Sequence, residues 1–107
     1  MDPFVFIQDF REHAPLPERG ILSRTVHNDA RAKVIQFLFA PGEGLSAHRA
    51  PMPAILYFAQ GEAKVTLGGQ EKAAREGTFV YMQPDLEHAI EASTEVVMLL
   101  LMIKNPS

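Results

Sequence analysis

The sequence predicts an all-β fold, a small barrel or sandwich of some eight or nine short strands. Two observations carry this. Short apolar or alternating runs recur along the chain, and Pro, Gly, Asn and Asp punctuate them at close intervals. No stretch makes a convincing amphipathic helix. Strands this short and numerous must close or stack, because open edges would leave backbone donors and acceptors exposed. At 107 residues the chain is read as one domain, 1–107.

Residues 4–7 are a short apolar run, and residues 14–20 a Pro/Gly-rich connection. Residues 21–26 read as a strand, followed by an Asn28-Asp29 turn, and residues 33–40 as the next, closed by Pro41-Gly42. Residues 44–53 read as a loop, since Pro51 and Pro53 forbid a central strand there. Residues 54–59 form the following strand. In residues 63–67, Ala63, Val65 and Leu67 alternate with Lys64 and Thr66, and Gly68-Gly69 then signals a hairpin turn. Residues 78–83 form a strand that Pro84 ends, and His88, Ile90 and Ala92 alternate with their neighbours. Residues 96–103 are apolar on both faces, which fits a central buried strand or one side of a subunit contact.

Thirteen acidic against ten basic residues give a net charge of −3, with Lys and Arg scattered, so no nucleic-acid partner is expected. The absence of cysteine excludes disulfides and thiolate chemistry and fits a reducing compartment. The start of the chain lacks the charged and apolar regions of a signal peptide. The apolar run 96–103 is far shorter than the ~20 residues of a membrane span. The expectation is a cytoplasmic protein without a membrane partner.

Two of the four histidines sit in telling contexts. His48 follows Pro41-Gly42-Glu43-Gly44, and its segment ends at Gly61-Glu62. His88 follows Gly77, a short strand, and Pro84-Asp85. His13 and His27 read as surface connections, His27 beside its turn. Over residues 34–103 this pattern resembles the two signature motifs of the cupin superfamily, motif one at about 42–61 and motif two at about 77–92. The resemblance implies a double-stranded β-helix, a jelly-roll barrel, with a pocket in its mouth. It also implies a metal held by two His and one Glu of motif one and one His of motif two. Here only His48 and His88 keep ligand identity. The second His falls on Ala50, the Glu on Ala54, and a downstream Asn on Ala92.

A catalytic divalent metal wants at least three protein ligands, so two imidazoles need help from elsewhere. Glu43, Gln36, Glu87 and His27 are the candidates, and Met52 or Met82 would suit only a soft metal. With alanines at two ligand positions, the pocket should be more apolar than in a metal-bearing relative.

The expected function is therefore binding of a small, largely apolar or aromatic molecule. The pocket would comprise His48, His88, Ala50, Ala54, Gln36, Met52, Tyr57 and Met82. The alternative is a metal-dependent enzyme of dioxygenase, isomerase or decarboxylase type. It would use His48 and His88 plus a further ligand around a weakly bound divalent transition metal. A third reading is metal-free acid–base catalysis by His48 or His88. A homodimer paired through residues 96–103 and 4–7 is expected, because a barrel this small would otherwise expose a sizeable apolar patch.

Overall fold

Nine strands follow one another: β1 (Ile21–Asn28), β2 (Ala32–Phe39), β3 (Gly44–His48), β4 (Ala54–Gln60), β5 (Ala63–Leu67), β6 (Gln70–Ala74), β7 (Phe79–Met82), β8 (His88–Ala92) and β9 (Val96–Ile103). The computed structural model describes residues 2–12 and 15–104, so the surface position expected for His13 lies outside the described residues. Among the described residues there is no helix, and hence none able to cross a membrane.

The strands form two antiparallel sheets, ordered β1-β2-β9-β4-β7 and β3-β8-β5-β6. Apart from the β1–β2 and β5–β6 hairpins, consecutive strands sit in different sheets, and the arrangement is a jelly-roll double-stranded β-helix. Alternation sends one side of every strand into the space between the sheets. Phe39, Leu56, Phe58, Met82, Met98, Val65, Ile90 and Val96 meet there in one buried cluster. Phe39 and Phe58 are completely buried. Each such ring contributes about 1.5–3 kcal/mol by leaving water.

β9 carries apolar residues on both faces because it is central, between β2 and β4. Met98 faces the main core, while Val97 joins Leu38 and Ala59 on the outer face of the five-stranded sheet. Phe10 and Leu16 cover that outer patch. The segment 4–7 forms no strand.

One expectation changes and one is completed. Residues 44–48 are a strand, not part of a loop, because β8 supplies a partner for their backbone. Gly44 permits the approach: a Cβ there would collide with the Ile90 carbonyl oxygen. Residues 70–74 form the second arm of the Gly68-Gly69 hairpin, with Ala63 paired to Ala74.

Candidate ligand-binding site

β8 places His88 inward, on the face it shares with the core residues Ile90 and Ala92. On one side of it lies Leu67 of β5, in register. On the other lies His48 of β3, also in register. His48 reaches this position through a bulge. Leu45 pairs with Ile90 and His48 with His88, so Ser46 and Ala47 together oppose one residue, Ala89. Leu45 and His48 are three positions apart and still share a face, which a regular strand forbids.

The two imidazoles are 4.2 Å apart between ring centroids and tilted by 59°. His88 is buried at 8 % exposure, whereas His48 is exposed. Each ring is tied back to its own strand in the same way. His48 Nδ1 lies 2.8 Å from the Ser46 carbonyl oxygen, and His88 Nδ1 lies 2.9 Å from that of Leu86. A carbonyl only accepts, so in both rings Nδ1 carries the proton and donates. The neutral rings therefore present Nε2 as a free lone pair. Among the described residues neither Nε2 has a hydrogen-bond partner, and no buried side-chain nitrogen or oxygen lacks one. The Nε2 of His88 accordingly opens on solvent at the barrel mouth.

The rim is built by a tight turn. Pro84 and Asp85 occupy its centre, Asp85 at a φ of 66°, and the Leu86 amide donates to the Gln83 carbonyl at 3.3 Å. Proline at the first central position and positive φ at the second make a type II turn, in which Gly is the usual second residue. The Asp85 amide donates to the Ala50 carbonyl at 2.7 Å, and Arg49 Nη1 donates to the Asp85 carbonyl at 3.0 Å. These bonds hold the loop before β4 against the turn before β8. The exposed Arg49–Glu87 pair, at 3.5 Å, adds little.

The floor is apolar. Ala54 pairs with Met82 on β7 and with Met102 on β9, all on the inner face. It is also filled: Ala54 is 4 % exposed, Met82 2 % and Ile90 3 %. Five cavities of about 230–440 Å³ lie elsewhere, none of them lined by His48, His88, Ala54 or Met82. Access to the pair is thus at the mouth. Ala50 and Met52 are half-buried in the loop beside it.

Gln36 and Tyr57 do not belong to this group. Gln36 is 2 % exposed on the outer face of the five-stranded sheet, where its Nε2 donates to the carbonyls of Phe10 at 3.0 Å and Glu12 at 3.2 Å. It alternates with Phe37 and Phe39, which take the inner side. Tyr57 lies between the inward Leu56 and Phe58 and therefore points out.

The further metal ligands considered above do not converge either. His27 is bound to Asp29 on the other side of the sheet, Glu87 faces Arg49, and Glu43 stands where its carbonyl accepts the Ala92 amide, at the far end of β8. Among the described residues no three or more His, Asp or Glu side chains come together. Two neutral imidazoles above a floor of Ala and Met, with no carboxylate to balance a dication, do not fit a four-ligand divalent site. The sequence did not disclose the bulge, the Arg49 clasp or the shared tautomer. Only the odd spacing of Leu45 and His48 hinted at the first.

A family model described as "Cupin domain" matches residues 35–104. No curated protein matches significantly. Among solved structures, a conserved protein of unknown function from Streptococcus pyogenes superposes with a TM-score of 0.86 at 22% identity, covering 99% of this chain and 93% of that one. A cupin superfamily protein from Desulfitobacterium hafniense gives 0.81 at 23% identity, with 86% and 84% covered. An RmlC-like cupin from Shewanella frigidimarina gives 0.77 at 16% identity, with 80% and 78% covered. At these identities the structural likenesses speak for the fold.

Proposed function

We infer the function from one premise: this chain belongs to the cupin domain family. Its role is to bind a small, largely apolar or aromatic molecule at the barrel mouth, without a four-ligand metal site. The observation that carries this is the histidine pair, both rings locked with Nε2 free over an apolar floor. Two adjacent acceptors ask for a ligand that donates, so an aromatic body with an N–H or O–H group is the matching chemistry. The scattered charges favour a small molecule over nucleic acid, and the lack of cysteine suits a cytoplasmic setting.

Indole and benzothiophene, alike in shape but not in donor capacity, test this through the ring ¹⁵N signals of His48 and His88. Indole should shift both Nε2 signals saturably and bind roughly fivefold to tenfold more tightly, the worth of one net hydrogen bond. Equal or absent responses would refute the reading. A response of both Nε2 signals to stoichiometric zinc(II) would favour the metal-dependent enzyme instead.

The same barrel acts as a homodimer. The outer face of β7, β4 and β9 exposes Phe79 (61 %), Tyr81 (54 %), Tyr57 (39 %) and Ile103 (38 %). The register sets Phe79 beside Tyr57 and Tyr57 beside Leu99, so these side chains form one contiguous patch. Light scattering at micromolar concentration should give twice the chain mass, and Tyr81→Glu should halve it. A monomeric mass for the parent chain would sink the proposal.

A further inference from the structure

We propose a second ligand site, separate from the barrel mouth, in the cleft between the N-terminal segment and the outer face of β1 and β2. It takes a molecule with an apolar or aromatic body and a hydroxyl group, such as a phenol. The cleft is a cavity of about 440 Å³, within the range of about 300–1,000 Å³ usual for small-molecule pockets. Its walls are apolar: Phe4, Ile7 and Phe10 from the segment, Val26 and Val34 from the strands. Its polar end is a single pair, His27 and Asp29.

That pair is built, not incidental. A bulge at Val26 lies between the register pairs Thr25–Ile35 and His27–Val34, and it sets His27 on the face of Val34, above which the segment runs. Asp29 Oδ1 accepts the amides of Arg31 at 2.7 Å and Ala32 at 2.9 Å, which fixes the carboxylate. Lys104 Nζ holds the same turn, donating to Asn28 Oδ1 at 2.6 Å and to the Asp29 carbonyl at 2.8 Å. Asp29 Oδ2 lies 2.7 Å from His27 Nε2. A carboxylate accepts, so Nε2 carries the proton and the neutral ring offers Nδ1 as an acceptor. Nδ1 has no hydrogen-bond partner among the described residues. An acceptor beside a fixed carboxylate disfavours an anionic head group and favours a neutral donor, which selects the hydroxyl.

The test uses the full chain with 2-naphthol and naphthalene, followed by amide and histidine-ring NMR. Saturable 2-naphthol shifts are expected at Phe4, Ile7, Phe10, Val34 and the His27 ring. Naphthalene should bind roughly fivefold to tenfold more weakly, and His27→Phe should erase that difference. Shifts confined to His48 and His88, no saturable shift at all, or equal affinity for both probes in the parent chain would each overturn the site. The mapping on the parent chain decides the location even if His27→Phe does not fold.

Discussion

Strands β1 and β3 use the same device for different ends. Each carries one bulge, and each bulge lets a histidine share a face with a residue three positions before it: Leu45 with His48, Arg24 with His27. In β3 the result points into the barrel mouth, and in β1 it points to the outside of the sheet. The tautomers are opposite. A backbone carbonyl holds Nδ1 of His48 and leaves Nε2 free, while the Asp29 carboxylate holds Nε2 of His27 and leaves Nδ1 free. The lesson is that the bulge decides where an imidazole points, and its hydrogen-bond partner decides which nitrogen it offers.

The largest expected effect separates the two strands by their packing. Gly44, at the start of β3, lies against the Ile90 carbonyl with no room for a Cβ. Gly44→Ala should cost about 1–3 kcal/mol, the overpacking range, and the urea midpoint should fall with unchanged slope. A loss below about 0.5 kcal/mol would show that β3 yields easily and that its bulge is not held in place. Next come deletions within the two bulges, read by ring contacts. Removing Ala47 alone regularises the ladder and keeps His48 opposite His88, so the ring contact seen by NMR persists. Removing Ser46 and Ala47 together sets His48 opposite Ala89, on the other face, and the contact disappears. The matching deletions in β1, Val26 alone or Thr25 with Val26, should keep and then lose the His27–Asp29 contact. Any other pattern breaks the parallel.

The smallest effect is on acid stability. Asp29 is held well below the usual carboxylate range by the hydrogen bond with His27, then by the amides of Arg31 and Ala32. Asp9 is lowered to about 2 from 3.8, first by the Arg11 side chain and then by its amide. Both folded values lie below the unfolded one. Their contributions are therefore complete above about pH 4 and are lost as pH falls through the folded values. The amide signals of Arg11, Arg31 and Ala32 should keep their carboxylate-bonded shifts through the ordinary carboxylate range and change only below it. A change at the ordinary carboxylate pKa would contradict the pairing. Among the described residues the mouth pair has no carboxylate partner, so its ring contact should not follow either transition.

Much was legible from residues alone. The alternation in residues 63–67 and 88–92, the turn glycines and the spacing of Gly42, His48, Gly61, Gly77, Pro84 and His88 located most of the strands, pointed to the family and singled out His48 and His88. These signals are local: side-chain period, allowed φ and turn chemistry act over a few residues. Ala54 followed from its count back from Gly61 in motif one, and it lies with Met82 on the inner face.

What lay beyond the sequence is what depends on a distant partner. Strand β2 is apolar on both faces, and its pattern cannot say whether Gln36 or Phe37 turns inward. The carbonyls of Phe10 and Glu12, brought over the sheet, satisfy Gln36 on the outside and so settle it. Tyr57 goes outward because Leu56 and Phe58 fill the core more completely than a phenol could without burying its hydroxyl. Residues 44–48 became a strand because β8 offered backbone partners that the local sequence does not encode. Composition and period determine which residues can share a face; only the assembled sheets, by deciding which face meets another surface and where a bulge absorbs an odd residue, determine which histidines meet.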